Sequence, residues 1–217
     1  MEFRDLKADE IDVRVAQITK DWLILLLYKD ARVDMNILDE TLGSTNWQRD
    51  HKELKGNIYC GVSIWDTEKK QWITKWDAGA ESYTEKEKGE ASDSFKRACV
   101  NLGIGRELYT SPVIFIPRYV EQDRKQIELF EIKDNSGKIS TKTRFNVEAI
   151  EITNKVITGL AIKNNKGIRV FVYKKQKGVW KMNYNKITLE ECFVYYHTGK
   201  TVYECNADKE EVIFSKE

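Results

Sequence analysis

The chain of 217 residues has few of the side chains on which catalytic and metal sites depend. Its two histidines, His51 and His197, do not lie near a nucleophile motif, and no glycine-rich loop carries the Lys-Ser/Thr pair that cradles a phosphate. Cys192, His197 and Cys205 would supply three zinc ligands, but a fourth is missing and the spacing is not that of a common zinc finger. We therefore expect a protein without catalytic residues, bound metal, cofactor or ATP use.

The sequence also lacks a long apolar run, a signal peptide and a CxxC pair. The run Trp22–Tyr28 has the length of a strand and is too short to cross a membrane. Residues 1–5 do not have the composition of a signal peptide. The four cysteines are scattered, which fits free thiols in a reducing compartment. These absences predict a cytoplasmic protein without a membrane partner.

Charge is nearly balanced over the whole chain, at a net +1, but it is unevenly distributed. Residues 1–110 hold 17 Lys/Arg and 21 Asp/Glu, a net charge of −4, and residues 187–217 hold 3 and 7, again −4. Residues 133–186 hold 13 Lys/Arg and 3 Asp/Glu, a net charge of +10. Such a positive segment fits either a contact with a polyanion or a lysine-rich sheet face exposed to solvent, and the sequence leaves both open.

Hydrophobic periodicity predicts two helices in the first part of the chain. Residues 9–22 repeat apolar side chains at helical spacing, with Asp9 as N-cap, and predict an N-terminal helix. The run Trp22–Tyr28 fits a buried strand or the end of that helix. Residues 32–42 predict a second, short helix that ends at Gly43.

A different pattern follows. Three strand-like runs, Trp47–Leu54, Asn57–Trp65 and Trp72–Ala78, are joined by short turns, which favours an antiparallel meander. Residues 85–102 return to helical period, and Gly103–Gly105 would end that helix.

The second half of the chain is predicted to be rich in strands. These are Phe145–Ile152, Val156–Ile162 and Ile168–Tyr173, with a hairpin turn at Asn164–Gly167. The sequence therefore predicts an α+β fold with an antiparallel β-β-β-α core, an N-terminal helix and an appended C-terminal β-rich segment. We divide it into a core at 1–118, a basic β-rich extension at 119–186 and an acidic, weakly patterned tail at 187–217.

The helix predicted at 85–102 carries an adjacent Lys96-Arg97 pair. Its apolar stripe is formed by Ala91, Phe95, Ala98 and Leu102. At about 100° per residue, Lys96 and Arg97 point away from this stripe, where they can hold two neighbouring phosphates. Taken alone, however, the pair fits a solvated basic pair on an ordinary amphipathic helix better.

The wider segment Glu90–Gly103 resembles the signature of the Rad52 family of single-strand annealing proteins, including its phage-encoded members. In that family a helix of the form Asp-x-(Leu/Phe)-Lys-Arg-Ala follows a three-stranded meander. Further stretches are similar to family motifs: Ala31-Arg32-Val33, Leu38–Trp47, Tyr59–Ile64 and Gly79-Ala80-Glu81. The motifs stand in the family's order, and the resemblance covers roughly residues 8–110.

The resemblance implies a homo-oligomeric ring whose positive groove holds single-stranded DNA with its bases exposed. By motif position Lys96 and Arg97 match DNA-contacting residues of the family, and Arg14 and Arg32 lie in the region that supplies another arginine. The implied function is ATP-independent annealing of complementary strands in recombination and repair, in the cytoplasm or nucleoid of a bacterial host if the protein is phage-encoded. A single-stranded DNA-binding protein stays open as a further partner.

One position departs from the eukaryotic pattern within this family. Eukaryotic members carry a further basic residue where this sequence has Val100. The exit from the helix, Gly103–Arg106, is also shorter and different. We hypothesise that Arg106 replaces the missing charge.

Other functions stay open. A β-β-β-α unit is also the shape of double-stranded RNA readers, which recognise the form of the duplex. A structural or replication-interaction protein is a further alternative. A metal-dependent nuclease has the least support, because Glu53-Leu54-Lys55 lacks the Pro-Asp that precedes such a metal site.

Four tryptophans lie on the predicted meander: Trp47, Trp65, Trp72 and Trp76. Rings on a sheet can stack on nucleobases or pack in the core. We favour packing for at least Trp47 and Trp65.

Overall fold

The computed structural model describes residues 2–80, 86–122, 124–176, 179–182, 204–206 and 211–213. The predicted α+β class is confirmed, since this part of the chain has mostly antiparallel strands and two α-helices. It forms two compact units. The first consists of residues 1–6 and 29–106, and the second of residues 7–28 and 107–217. None of the described helices is long and apolar enough to span a membrane.

In chain order the strands and α-helices are β1 (Asp12–Ile18), β2 (Trp22–Tyr28), α1 (Ala31–Leu42), β3 (Trp47–Leu54), β4 (Asn57–Asp66), β5 (Gln71–Ala78), α2 (Lys86–Leu102), β6 (Ile114–Pro117), β7 (Tyr119–Gln122), β8 (Lys125–Glu128), β9 (Lys133–Asn135), β10 (Lys138–Ser140), β11 (Phe145–Thr153), β12 (Val156–Asn164), β13 (Arg169–Gln176), β14 (Val179–Met182), β15 (Glu204–Asn206) and β16 (Glu211–Ile213). Short 3-10 helices cover Ala8–Glu10 and Arg106–Thr110.

The first unit contains the predicted meander and the helix that follows it. Strands β3, β4 and β5 form a three-stranded antiparallel sheet in that order, and α2 packs on β4 and β5. Strands β3 and β4 pair without a break in register, from Trp47 opposite Ile64 to Leu54 opposite Asn57. Each hairpin needs only a short turn, which is why adjacent strands pair as the sequence predicts.

Helix α1 also forms as predicted, and both its ends have a local cause. At the start, the side chain of Asp30 accepts a hydrogen bond from the backbone N–H of Arg32, as an N-cap does. At the end, Gly43 adopts a φ of 83°, which a residue with a Cβ atom rarely adopts.

The predicted N-terminal helix at 9–22 is wrong. These residues contain β1 and the turn that joins it to β2 in an antiparallel hairpin, and the turn is closed by a hydrogen bond from the backbone N–H of Thr19 to the carbonyl of Trp22. Along β1 exposed and half-buried residues alternate, with Val13 and Val15 turned inward. β1 pairs with β2 on one side and with β11 on the other. Strand pairing on both sides of β1 therefore outweighs the helical spacing of its apolar residues.

The second unit is built on a seven-stranded antiparallel sheet in the order β14-β13-β12-β11-β1-β2-β6. The three predicted strands correspond to β11, β12 and β13, and the turn Asn164–Gly167 is observed, with the Asn164 N–H donating to the Ile168 carbonyl. Residues 7–28 lie in this unit because β1 pairs with β11, whereas the sequence-based division places them with residues 1–118. Apart from β15 and β16, the predicted tail 187–217 lies outside the described residues.

Candidate nucleic-acid interface

The first half of α2 is held on the meander by contacts with the two residues that follow β5 and with the start of β4. Gly79 donates its N–H to the carbonyl of Ile58, and the Ile58 N–H donates to the Glu90 carboxylate at 2.6 Å. Ala80 donates its N–H to the Asp93 carboxylate at 3.0 Å. A Cβ atom on Gly79 would lie 2.1 Å from the Glu90 carbonyl oxygen, so only glycine allows this approach. The helix is therefore held in one position on the sheet.

The buried side of α2 follows the predicted apolar stripe in part. Phe95 and Ala98 are fully buried, whereas Ala91 and Leu102 are half-buried. The Phe95 ring stacks with the ring of Trp47, at 6.2 Å between centroids, which confirms packing for this tryptophan. Phe95 thus fixes the rotation of the helix that carries the basic pair.

Lys96 and Arg97 leave α2 in different directions. Arg97 points toward β5, where its Nε donates to the Asp77 carboxylate at 3.2 Å, and its side chain is 48% exposed. Lys96 is 28% exposed and lies 3.9 Å from the Asp93 carboxylate. Adjacent residues on a helix are about 100° apart, so this divergence follows from the helical geometry. The pair therefore presents two separate cations along the helix.

The Asp77 carboxylate organises the side of α2 that faces β5. Besides Arg97, it accepts hydrogen bonds from the backbone N–H of Ala78 and from the Asn101 amide, the latter at 3.2 Å. Asn101 also donates to the Trp76 carbonyl. Arg97 is thereby oriented by a carboxylate that is itself fixed to both β5 and α2.

Arg32 and Lys96 are brought to the same acidic group, Asp30. The Arg32 Nε donates to the Asp30 carboxylate at 2.8 Å, and the Arg32 side chain is 82% exposed. Hydrogen bonds from Arg32 lower the pKa of Asp30, and the charge of Lys96 lowers it further. These two predicted DNA-binding residues thus lie near one another at the start of α1.

Arg106 caps the C-terminus of α2. Its Nε donates to the Val100 carbonyl at 2.8 Å and its Nη2 to the Asn101 carbonyl at 3.0 Å. A cation at this end also interacts favourably with the helix dipole. Arg106 therefore lies four residues beyond the end of α2 and stabilises its last turn, in addition to the DNA contact that the sequence predicts for it.

Arg14 lies in the second unit, on β1. Its side chain is exposed, and its cross-strand partner on β2 is Leu26. The segment 133–186 also belongs to this unit. Two of its basic side chains form ion pairs with glutamates. Arg169 contacts Glu148, and Lys166 contacts Glu131 at 2.7 Å.

A buried ion pair lies where α1 begins, below the turn that ends α2. The Lys29 ammonium contacts both carboxylate oxygens of Asp34, and both side chains are almost fully buried. Burial raises the pKa of Asp34 to about 6, although Lys29 and Lys96 act in the opposite direction. A Cβ atom on Gly105, whose φ is 71°, would lie 2.3 Å from Cε of Lys29. This ion pair escaped the sequence analysis because neither residue belongs to a motif.

Arg49 is a further cation that the sequence analysis missed. Its guanidinium lies 5.0 Å from the centre of the Phe95 ring, on the side of α2 that faces β3. Cations thus flank α2 on both sides, Arg49 toward β3 and Arg97 toward β5. The alternation along β3 was the signal available, since it places Arg49 on the same face as Trp47.

Two of the four cysteines, Cys60 and Cys99, lie within the first unit. Both are free thiols, as the sequence predicts, and both are buried; burial raises the pKa of the Cys60 thiol to about 11. In the described part of the chain, no three His, Cys, Asp or Glu side chains are grouped as metal ligands. Cys192 and His197 lie outside the described residues.

Comparison with known proteins adds no relative. The chain matches no family model, no curated protein and no solved structure.

Proposed function

We propose that the first unit binds single-stranded DNA along α2 and anneals complementary strands without ATP. The position of Arg97 carries this proposal. It is half exposed, it stands beside Lys96, and it is oriented by Asp77 on a helix that Gly79 and Phe95 hold on the sheet. A guanidinium fixed in this way loses little conformational entropy when it binds a phosphate.

The binding mechanism that follows is electrostatic. Lys96, Arg97 and Arg32 neutralise successive phosphates and release their counterions. Contacts of this kind go to the backbone and carry little sequence information. The 3.9 Å between Lys96 and Asp93 marks a loose pair of partly exposed side chains, in which a phosphate can replace the carboxylate.

Annealing also requires many weak sites on one strand, and we propose that the protein acts as a homo-oligomer in the form of a ring. Side-by-side subunits raise the effective concentration of each site for a bound strand. Arg14 and Arg106 stay proposed as additional DNA contacts. A cytoplasmic location, and a single-stranded DNA-binding protein as a partner, belong to the same proposal.

An annealing assay with two complementary oligonucleotides tests the proposal. We expect Lys96→Ala/Arg97→Ala to weaken single-stranded DNA binding about tenfold or more and to slow annealing, because two charge-assisted contacts are lost. The fold should persist, since neither side chain lies in the core. Equal annealing rates in wild type and variant would refute the role of the pair.

A matched control removes two adjacent charges elsewhere in the same unit. Lys69 and Lys70 lie in the turn between β4 and β5 and are exposed. The variant Lys69→Ala/Lys70→Asn keeps a residue that tolerates the φ of 51° at position 70. It should anneal like wild type.

Competition by double-stranded RNA rather than by single-stranded DNA would instead favour a duplex-shape reader.

A further inference from the structure

The face of the meander opposite α2 carries exposed aromatic rings. Residues that contact α2, such as Trp47 and Asp77, alternate along the strands with residues of this second face. There Trp72 is 41% exposed and Trp76 is 38% exposed. An exposed aromatic ring on a sheet is a surface on which a nucleobase can stack.

The Trp76 ring lies flat against the sheet and is held there. Gly61 is its cross-strand neighbour, and a Cβ atom on Gly61 would lie 2.6 Å from atoms of the indole ring. The ring therefore rests directly on the β4 backbone. The ammonium of Lys52, from β3, lies 4.5 Å from the ring centre. Trp72, in contrast, meets the Trp65 ring edge-on at 5.5 Å between centroids.

We propose that Trp76 is a stacking platform for a nucleobase of single-stranded DNA, with Lys52 holding the phosphate next to it. The inference rests on the proposed function and adds a base contact to a mechanism that otherwise uses only the backbone. The base takes the place of the Lys52 ammonium over the ring, and the ammonium turns to the phosphate. Stacking uses the face of the base and leaves its pairing edge free for a complementary strand.

A nucleobase fits this face better than a second copy of the chain does. The face carries one basic and one acidic side chain, Lys52 and Asp50, and its large exposed apolar residues are Leu54, Trp72 and Trp76. These three are too few for the apolar core of a stable protein interface. The Trp76 ring is supported by the sheet and lies beside one flexible cation, Lys52. This pair is complementary to one nucleotide, which combines a flat ring with one negative charge.

Binding of the full-length wild-type chain to two polymers of equal length tests the inference. One is a fluorescently labelled oligothymidylate, and the other is the same deoxyribose-phosphate chain without bases. Stacking of a base should make the first bind about 5- to 150-fold tighter. Equal affinity for the two polymers would overturn the stacking role and leave the proposed function intact. Failure to bind either polymer would overturn both.

Four variants test whether the preference for bases comes from this surface. Trp76→Leu keeps an apolar cover over Gly61 and should bind both polymers with the wild-type affinity for the abasic chain. Lys96→Ala/Arg97→Ala should weaken both polymers and keep the preference for bases. Lys52→Ala should bind both polymers more weakly, whereas Lys75→Ala, on the other face of β5, should keep the wild-type preference. A full base preference in Trp76→Leu together with a lower oligomeric state in analytical ultracentrifugation would assign the ring to subunit contact and refute the proposal.

Discussion

Gly79 and Glu90 are in direct backbone contact, with 2.1 Å between the Glu90 carbonyl oxygen and the position of a Cβ atom on residue 79. We predict that Gly79→Ala lowers the free energy of unfolding by about 1–3 kcal/mol, because the added methyl group pushes α2 away from β5. Urea unfolding measures the change. Gly56→Ala is the control: residue 56 has open space around it and a φ of 77°, so the substitution should cost only backbone strain, about 1–2 kcal/mol. An equal, small loss in both variants would contradict the contact.

Arg106 should separate stability from binding. Arg106→Lys keeps the charge but loses the two-pronged cap on Val100 and Asn101, so we expect it to be less stable by about 0.5–1.5 kcal/mol while its affinity for single-stranded DNA is retained. Arg106→Ala should lose both. Thermal unfolding and fluorescence anisotropy give the two readings, and an unchanged affinity in Arg106→Ala would remove Arg106 from the DNA-binding residues.

The salt dependence of the binding constant reports how many phosphates the protein contacts. The logarithm of the wild-type binding constant should fall linearly with the logarithm of salt concentration. In Lys96→Ala/Arg97→Ala the slope should be smaller in magnitude by about 1.4, since each contact to a single strand contributes about 0.7. A parallel line at lower affinity would mean that the two side chains act through structure and not through phosphates.

Asp34 should make stability fall as pH rises. Its pKa is raised by burial from 3.8 to about 6, so the folded state favours the protonated carboxyl more than the unfolded state does. The corresponding stabilisation is complete below pH 3.8 and is lost as pH rises through about 6. The loss amounts to roughly 1–3 kcal/mol.

The difference between wild type and Asp34→Asn isolates this effect from other carboxylates. Asp30 and Glu148 have lowered pKa values and contribute with the opposite sign. Urea midpoints of wild type and variant should therefore be closest at low pH, where the protonated carboxyl is as neutral as the amide, and the wild-type midpoint should fall relative to that of the variant as pH rises through about 6. A constant difference would show that Asp34 does not titrate in this range.

The meander and α2 could be predicted from sequence because their causes are local. Short turns force neighbouring strands to pair, and Phe95 and Ala98 mark the buried side of the helix. The placement of β1 beside β11 could not be predicted, since Asp12 pairs with Asn146, and no local pattern shows a partner so distant in sequence.

The candidate site was predictable in its residues and not in its geometry. Helical spacing shows that Lys96 and Arg97 leave the apolar stripe, but Asp77, which orients Arg97, comes from β5, and Asp30, which lies near Lys96, precedes α1. Asp30 and Asp77 reach their positions only through packing of those elements on α2. The same holds for Trp76, whose exposed ring depends on a glycine in the neighbouring strand.

The pairing of β1 with β11 also sets an order for folding during synthesis. The β1–β2 hairpin leaves the ribosome first, the whole segment 29–106 follows, and only then does β11 appear. The first unit can complete its local meander in the meantime, whereas β1 waits with one edge unpaired. The newly made chain therefore exposes an unpaired β edge until β11 has been synthesised, and an unpaired edge of this kind is a site at which aggregation can begin.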